Sequence, residues 1–152
     1  ATASILLIIG TSSSFAWVLT MERIPHIATE FVVGLVDNRY VFLLLVNILL
    51  LIVGLFIEGN VAMIILVPLF IPMVNAYGID PIHFGIMMIM NLSIGTLTPP
   101  VGTAMLTTCS ITKTKIEDFL KEIVPFWIAL LIALLLITYV PAISLALVDL
   151  IY

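Results

Sequence analysis

Long apolar segments occupy most of this chain and constrain what it can fold into. A helix needs about 20 consecutive apolar residues to cross the hydrocarbon core of a bilayer. Hydrophobic residues make up 63% of the 152 residues and charged ones only 9%, whereas a soluble domain carries about 25% charged residues. The sequence therefore predicts an all-α, polytopic membrane protein. Its apolar segments run over residues 4–20, 40–57, 61–77, 82–111 and 123–140.

Charge and cysteine content exclude several classes of protein. The net charge of -4 is small and scattered, so no nucleic-acid patch is predicted. Cys109 is the one cysteine, which excludes an intrachain disulfide and any multi-cysteine metal site. Ala1 is followed almost at once by an apolar span without a basic region, which argues against a signal peptide. We expect the chain to be the tail of a longer membrane protein, or one piece of a split one.

The sequence GTLTPPVGTAML interrupts the apolar segment 82–111. Pro99 and Pro100 have no N–H, and their rings clash with the carbonyls four residues earlier, at Gly95 and Thr96. At about 1.5 Å per residue, 30 helical residues would span about 45 Å, which is too long for one crossing. The break is therefore predicted to lie inside the membrane, with freed carbonyls at Gly95 and Thr96 and hydroxyls at Thr96 and Thr98.

A second half-helix is predicted to start near Val101, with its first amides, including those of Gly102 and Thr103, lacking helical partners. Such backbone survives at membrane depth only inside protein or against a cavity. Secondary transporters build ion and substrate sites from discontinuous helices of this kind. The alternative is a proline kink stabilised by neighbouring helices. Two consecutive prolines between two glycines favour a site.

Two apolar arms flank the tripeptide Glu58-Gly59-Asn60. Each arm has roughly 17 residues and reaches about 25 Å, short of a hydrocarbon core of about 30 Å. This favours a re-entrant hairpin over two full spans without deciding between them. If the tip reaches water, the tripeptide is an ordinary loop; if it lies deep in the membrane, Glu58 is a functional residue.

The segment after the first span is too short and too charged to cross a membrane. Ile27, Phe31 and Leu35 recur at helical spacing, which predicts an amphipathic arm in the interface. His26 and Glu30, four residues apart, resemble a fragment of a metal site. Because no third ligand is nearby, a solvated helix face is the preferred interpretation.

Three lysines in the segment TKTKIEDFLKE place it on the cytoplasmic side, because positive residues concentrate there. Counting crossings from this segment predicts that the hairpin opens toward the outside. It also predicts an outside C-terminus. The lysines are Lys113, Lys115 and Lys121.

Three stretches carry a resemblance to a known family: NILLLIVGLFIEGNVAMIILVPLFIPM, GIDPIHFGIMMIMNLSIGTLTPPVG and PFWIALLIALLLITYVPAIS. They resemble the large membrane subunit (DctM-type) of TRAP transporters, the tripartite ATP-independent periplasmic systems. The resemblance runs over nearly the whole chain and is most specific at Gly78–Gly85 and Asn91–Gly102. It covers only the second of the family's two inverted repeats.

The resemblance implies a sodium-driven elevator transporter rather than an enzyme, located as a multi-pass protein in the bacterial inner membrane. Its second repeat would supply an outward-opening re-entrant hairpin and a broken helix. The implied layout is a spanning helix at 1–22, an interfacial arm at 23–38, the hairpin at 39–77, a discontinuous helix at 78–112 broken at 95–102, a cytoplasmic linker at 113–122 and a C-terminal span at 123–152.

Hairpin tip and helix break would together form one Na⁺ site and half of the substrate pocket. Na⁺ would be the coupling ion, and no organic cofactor is implied. Glu58 departs from the apolar or Asp-like residue expected at the tip. The implied sodium ligands are Gly59, Asn60, Gly95, Thr96 and Thr98, and the implied substrate-binding residues are Pro99, Pro100, Val101, Gly102 and Thr103.

The family also implies partners. These are the N-terminal half of the large subunit, a small membrane subunit, lipid and a periplasmic binding protein that hands over an organic acid, commonly a dicarboxylate or sialic acid. The sequence itself names no substrate.

Two other classes of protein are less compatible with the sequence. An intramembrane protease would need a serine with a helix-borne histidine, or paired aspartates, but His26 and His83 lie at interfaces. A channel or a purely structural subunit with a kinked helix is the second alternative. A channel would be expected to carry a polar stripe along a whole span, whereas polarity here concentrates at two breaks.

Overall fold

The structure is a computed structural model that describes residues 2–151. Helices account for nearly all of this range and no strand occurs in it, so the predicted all-α fold is confirmed. Chain order gives the helices α1 (Thr2–Met21), α2 (Ile24–Leu35), α3 (Arg39–Phe56), α4 (Gly59–Ala76), α5 (Pro81–Thr96), α6 (Thr103–Thr112), α7 (Ile116–Tyr139) and α8 (Pro141–Ile151).

Three helices in the described range, α3, α4 and α7, are long and apolar enough to cross a membrane. Their outward-facing side chains are apolar as well: Phe126 on α7 is 66% exposed and Ile52 on α3 is 51% exposed. Exposed apolar patches of this extent are rare on soluble monomers. Lipid or the remainder of a larger membrane protein would cover them.

Helix α2 begins after Arg23, which adopts a left-handed conformation, and carries a proline in its first turn. Ile27, Phe31 and Leu35 form an exposed apolar face on it, as their spacing predicts. Its opposite side packs against α4. The hydroxyl of Tyr77, just beyond α4, donates a 2.5 Å hydrogen bond to the carbonyl of Val36, just beyond α2. This bond fixes the arm to the end of α4.

The core forms around α5, which packs against both α3 and α4. Phe70 of α4 lies against Phe84 of α5, with ring centroids 5.6 Å apart. Helices α3 and α4, consecutive in the chain, touch each other far less than each touches α5. They diverge from their short connection, and α5 fills the space between them.

A buried polar network joins α5 to α3, α7 and α8. The amide of Asn91 donates to the side-chain oxygen of Asn47 at 2.5 Å, and Asn47 donates to the hydroxyl of Thr138 at 3.1 Å. One ring nitrogen of His83 lies 3.3 Å from the carbonyl of Thr138, and the other lies 2.6 Å from the hydroxyl of Ser144. Buried polar groups need such partners, so this network specifies how the four helices pack.

The C-terminal region differs in two ways from the layout expected from the sequence. Helix α7 starts at Ile116 and includes most of the expected linker at 113–122. The expected span at 123–152 is divided at Val140, whose backbone is not helical. Pro141 causes this division, because proline disfavours helical geometry in the residue before it and is itself well suited to start a helix.

Candidate functional site

The first non-helical connection of interest lies between α3 and α4. Helix α3 ends at Phe56, and α4 starts at Gly59 after only Ile57 and Glu58. The N-cap residue Glu58 makes no side-chain hydrogen bond to a backbone N–H at the start of α4. Its carboxylate instead accepts a 3.2 Å hydrogen bond from the side-chain amide of Asn60. The first backbone N–H groups of α4 are therefore left without a side-chain cap.

The second connection lies between α5 and α6. Helix α5 ends at Thr96, and the next helical residue is Thr103. Gly102 is the N-cap, at φ 45°, and supplies no side-chain bond. The expectation that a new helix starts near Val101 is therefore wrong by two residues, because the left-handed turn at Gly102 precedes the first helical residue. The uncapped amides at this end begin at Thr103.

The carbonyl of Gly95 is also bonded, contrary to the expectation that the prolines leave it free. The N–H of Thr98 donates to it at 3.0 Å, because the chain tightens into a turn at the end of α5. The hydroxyl of Thr98 donates to the carbonyl of Ile94 at 2.9 Å. These oxygens keep lone pairs for a further partner.

The C-terminal ends of α3 and α5 meet at two glycines. A Cβ atom built on Gly95 would lie 2.5 Å from the carbonyl carbon of Gly54 and 2.6 Å from its Cα. The two backbones are thus in direct contact, which only glycine permits. This contact brings the connection after α3 beside the connection after α5.

An open cavity of about 560 Å³ lies between the two connections. The starts of α4 and α6 and the last turns of α5 line it, so the uncapped ends of two helices border one space. Most of its polar lining consists of hydroxyl groups. The lining residues are Glu58, Gly59, Asn60, Met63, Ile89, Leu92, Ser93, Thr96, Thr103, Ala104, Thr107 and Thr108.

The sequence-predicted site residues are distributed over four places. Gly59, Asn60, Thr96 and Thr103 line the cavity. Gly95 lies against Gly54. Thr98 borders a smaller apolar cavity of about 270 Å³ between α3, α5 and α7. The other four, Pro99, Pro100, Val101 and Gly102, form the connection before α6 and are absent from the lining of the larger cavity.

Sequence reasoning missed Gly54, Ser93, Thr107 and Thr108. The hydroxyl residues had a signal, because Thr103 and Thr107 are four residues apart and share one face of a helix. Gly54 had none, since its role depends on a contact with a residue 41 positions later in the chain.

Helix ends with opposite partial charges lie near the cavity. Helices α4 and α6 begin at the cavity, and helix N-termini carry a partial positive charge that favours anions. The last turns of α3 and α5 meet at Gly54 and Gly95, and helix C-termini carry a partial negative charge from their carbonyl groups. One region therefore suits an anion, and the neighbouring region suits a small cation.

The family model for the tripartite ATP-independent periplasmic transporter DctM component matches residues 1–143. The chain belongs to the DctM family of TRAP transporters. The family that the sequence resemblance implies is therefore confirmed. Its relatives are transporter permeases rather than enzymes.

Three curated DctM relatives show the range of names within this family. The chain is 42% identical over 146 residues, 96% of its length, to the C4-dicarboxylate TRAP transporter large permease protein DctM of Pseudomonas aeruginosa. It is 41% identical over 142 residues, 93% of its length, to the isethionate TRAP transporter permease protein DctMQ of Oleidesulfovibrio alaskensis. It is 36% identical over 149 residues, 98% of its length, to the sialic acid TRAP transporter large permease protein SiaM of Vibrio cholerae.

The chain spans only part of these DctM relatives. It covers 34%, 22% and 35% of their respective lengths. Their names include C4-dicarboxylate, isethionate and sialic acid, all of which are organic acids.

Proposed function

We propose that this chain is the C-terminal part of the membrane permease of a sodium-coupled TRAP transporter, which takes up an organic acid anion delivered by a periplasmic binding protein. The observation that carries the proposal is the cavity between two helix breaks in a chain of the DctM family. Secondary transporters use half-helix N-termini for anionic substrate groups and unwound carbonyls for coupling ions.

The anion would be held at the starts of α4 and α6. Neither Lys nor Arg is among the residues lining the cavity, so this part of the protein offers backbone amides rather than a cationic side chain. A helix N-terminus stabilises an anion by about 0.3–1 kcal/mol when exposed and up to about 2 kcal/mol when partly buried. Such weak binding suits a permease that must release its substrate, with tight capture left to a separate binding protein.

Sodium would be held by neutral oxygens near the ends of α3 and α5. Backbone carbonyl and hydroxyl oxygens suit a hard monovalent ion, whereas Mg²⁺ or Ca²⁺ calls for carboxylates. Gly95, Thr96 and Thr98 supply such oxygens where two helix C-termini meet, and Gly59 and Asn60 supply them across the break. When bound, the ion would balance negative charge beside the anion and so couple the two binding events.

The proposed mechanism is an elevator in the bacterial inner membrane, with this chain as the second inverted repeat. Helices α3 and α4 form its outward-opening re-entrant hairpin, and α5 and α6 form its discontinuous helix. The lysine-rich segment before and within the first turns of α7 lies in the cytoplasm, and the C-terminus lies in the periplasm. The N-terminal half of the permease, a small membrane subunit, lipid and the binding protein complete the system.

Replacing Thr98 with valine is expected to weaken sodium binding, because it removes one oxygen at nearly constant volume. Losing a neutral hydrogen-bonding oxygen costs about 0.5–1.5 kcal/mol, which corresponds to a roughly 2- to 12-fold higher Na⁺ concentration for half-maximal uptake. The measurement is organic acid uptake by the complete transporter in proteoliposomes with an inward Na⁺ gradient.

Thr112→Val on the exposed end of α6 is the matched control and should leave the Na⁺ dependence unchanged. An unchanged dependence in Thr98→Val would remove Thr98 from the proposed sodium ligands. Equal uptake with a K⁺ gradient in place of Na⁺ would refute sodium coupling. Equilibration without accumulation would instead support the channel alternative.

A further inference from the structure

Five hydroxyl side chains line the cavity, and four of them, all except that of Thr103, are already committed as donors. Ser93, Thr96, Thr107 and Thr108 each donate to a backbone carbonyl three or four residues earlier in the same helix, at 2.7–2.8 Å. A hydroxyl has one proton and two acceptor lone pairs. In this arrangement the four side chains can therefore only accept hydrogen bonds from a molecule in the cavity.

Glu58 adds a carboxylate to the same lining. It is exposed and is the single formally charged residue among those that border the cavity in the described chain. An ionised carboxylate is an acceptor only, with about four lone-pair positions, and the 3.2 Å hydrogen bond from the side-chain amide of Asn60 leaves most of them open. The carboxylate also lies beside the proposed anion-binding ends of α4 and α6.

Hydrogen-bond donors and acceptors thus line the same cavity. The donors are the uncapped amides at the starts of α4 and α6, with the side-chain amide of Asn60 and the hydroxyl of Thr103, and the acceptors are Glu58 and the four committed hydroxyls. An unsubstituted alkyl dicarboxylate carries acceptors only. It would make no hydrogen bond to these acceptors and would place its negative charge near Glu58, which is unfavourable because like charges cost binding energy.

We propose that Glu58, with the hydroxyls of α5 and α6, selects an organic anion that also carries hydrogen-bond donors, namely hydroxyl or ammonium groups. The anionic group binds at the helix starts, and the donor groups bind Glu58 and the hydroxyl oxygens. This inference rests on the proposed function and narrows its substrate class.

The test compares acids of similar skeleton that lack or carry hydrogen-bond donors. Succinate, malate and aspartate share a four-carbon dicarboxylate skeleton and carry a hydrogen, a hydroxyl or an ammonium group at one carbon. Cyclohexanecarboxylate and glucuronate form a larger pair, without and with hydroxyls. Because a binding protein has its own specificity, the measurement uses the full-length permease with its small subunit alone. Ligand binding is read from the shift in melting temperature in Na⁺ as each acid is titrated.

In the wild type, the donor-bearing member of at least one pair should bind about tenfold or more tightly than its unsubstituted partner. A tenfold difference in affinity corresponds to the free energy of about one charge-assisted hydrogen bond. Glu58→Gln should reduce that ratio to about twofold or less and tighten binding of the unsubstituted acid. If Glu58→Gln weakens the binding of aspartate more than that of malate, an ammonium group is the preferred donor. If it weakens the binding of malate more, a hydroxyl group is the preferred donor.

Glu117→Gln, in the first turn of α7, is the matched control and should keep the wild-type ratio. Melting without ligand checks that Glu58→Gln is folded. Equal binding within both wild-type pairs, or a ratio unchanged by Glu58→Gln, would overturn the inference even if sodium-driven uptake is observed. Absence of Na⁺-driven uptake of any organic acid by the complete transporter would instead overturn the proposed function.

Discussion

Replacing Gly95 with alanine is expected to destabilise the permease by about 3 kcal/mol or more and to abolish uptake, since overpacking a core costs 1–3 kcal/mol even where neighbours can move. The added Cβ would lie 2.5–2.8 Å from three backbone atoms of Gly54. A backbone cannot rotate out of the way as a side chain can, so α3 and α5 would have to separate. Separation would open the junction where the proposed sodium site forms.

Two other glycines provide graded controls for Gly95→Ala. A Cβ on Gly54 would meet Gly95 and Leu92 at 3.2–3.4 Å, so Gly54→Ala should be destabilising but less so. Gly85 lies on the same helix as Gly95 with nothing within 4 Å, and Gly85→Ala should be neutral or stabilising by about 0.5–1 kcal/mol. Thermal unfolding of the full-length permease measures the order. Equal stability of Gly95→Ala and Gly85→Ala would disprove the close helix crossing.

Replacing Gly102 with alanine is expected to have the second-largest effect. Gly102 has φ 45°, and a Cβ there would lie 3.1 Å from both the carbonyl oxygen of Thr98 and the side chain of Met105. The left-handed conformation alone costs a residue other than glycine roughly 1–2 kcal/mol. Relief of the crowding would shift the start of α6 and its amides, so uptake should be lost.

Gly78→Ala separates backbone strain from crowding. Gly78 has φ 62° with nothing within 4 Å, so its alanine variant should lose similar stability through strain yet retain uptake. Thr103→Ala should cost much less uptake than Gly102→Ala, because the proposed anion site is made of backbone amides. If Thr103→Ala is the more damaging of the two, side-chain recognition replaces the helix-terminus mechanism.

Local signals in the sequence are sufficient for most of the helices and for the positions of both connections, but not for the division of the C-terminal span at Val140. Pro99 and Pro100 cannot continue a helix, and α5 ends at Thr96. The start of α6 was placed two residues too early, because no local rule shows that Gly102 would take a left-handed turn before the helix. Element boundaries depend on such details more than on hydrophobic pattern.

Long-range contacts account for what the sequence could not supply. Nothing in the sequence indicates that Gly54 and Gly95 touch, because their contact exists only once α3 and α5 are packed together. The same holds for Asn47 and Asn91, whose hydrogen bond joins these two helices. The sequence resemblance implies that Thr98 is a sodium ligand together with Thr96, but Thr98 borders an apolar cavity beside α7 whereas Thr96 lines the larger cavity.

We propose that the starts of α4 and α6 line one substrate-binding cavity and that substrate occupies it only when sodium is bound. Substrate protection of single cysteines tests this most directly, in a Cys109→Ala background because Cys109 is the native thiol. Cysteines that replace Asn60 on α4 and Thr107 on α6 border the cavity from two different helices, and one that replaces Thr114 lies outside its lining. The label is a membrane-impermeant thiol reagent, applied to the complete transporter in proteoliposomes.

The organic acid that the transporter accumulates should slow labelling at both Asn60 and Thr107 when Na⁺ is present, not when K⁺ replaces it, and should leave labelling at Thr114 unchanged. Protection at only one of the two positions, or equal protection without Na⁺, would contradict the account.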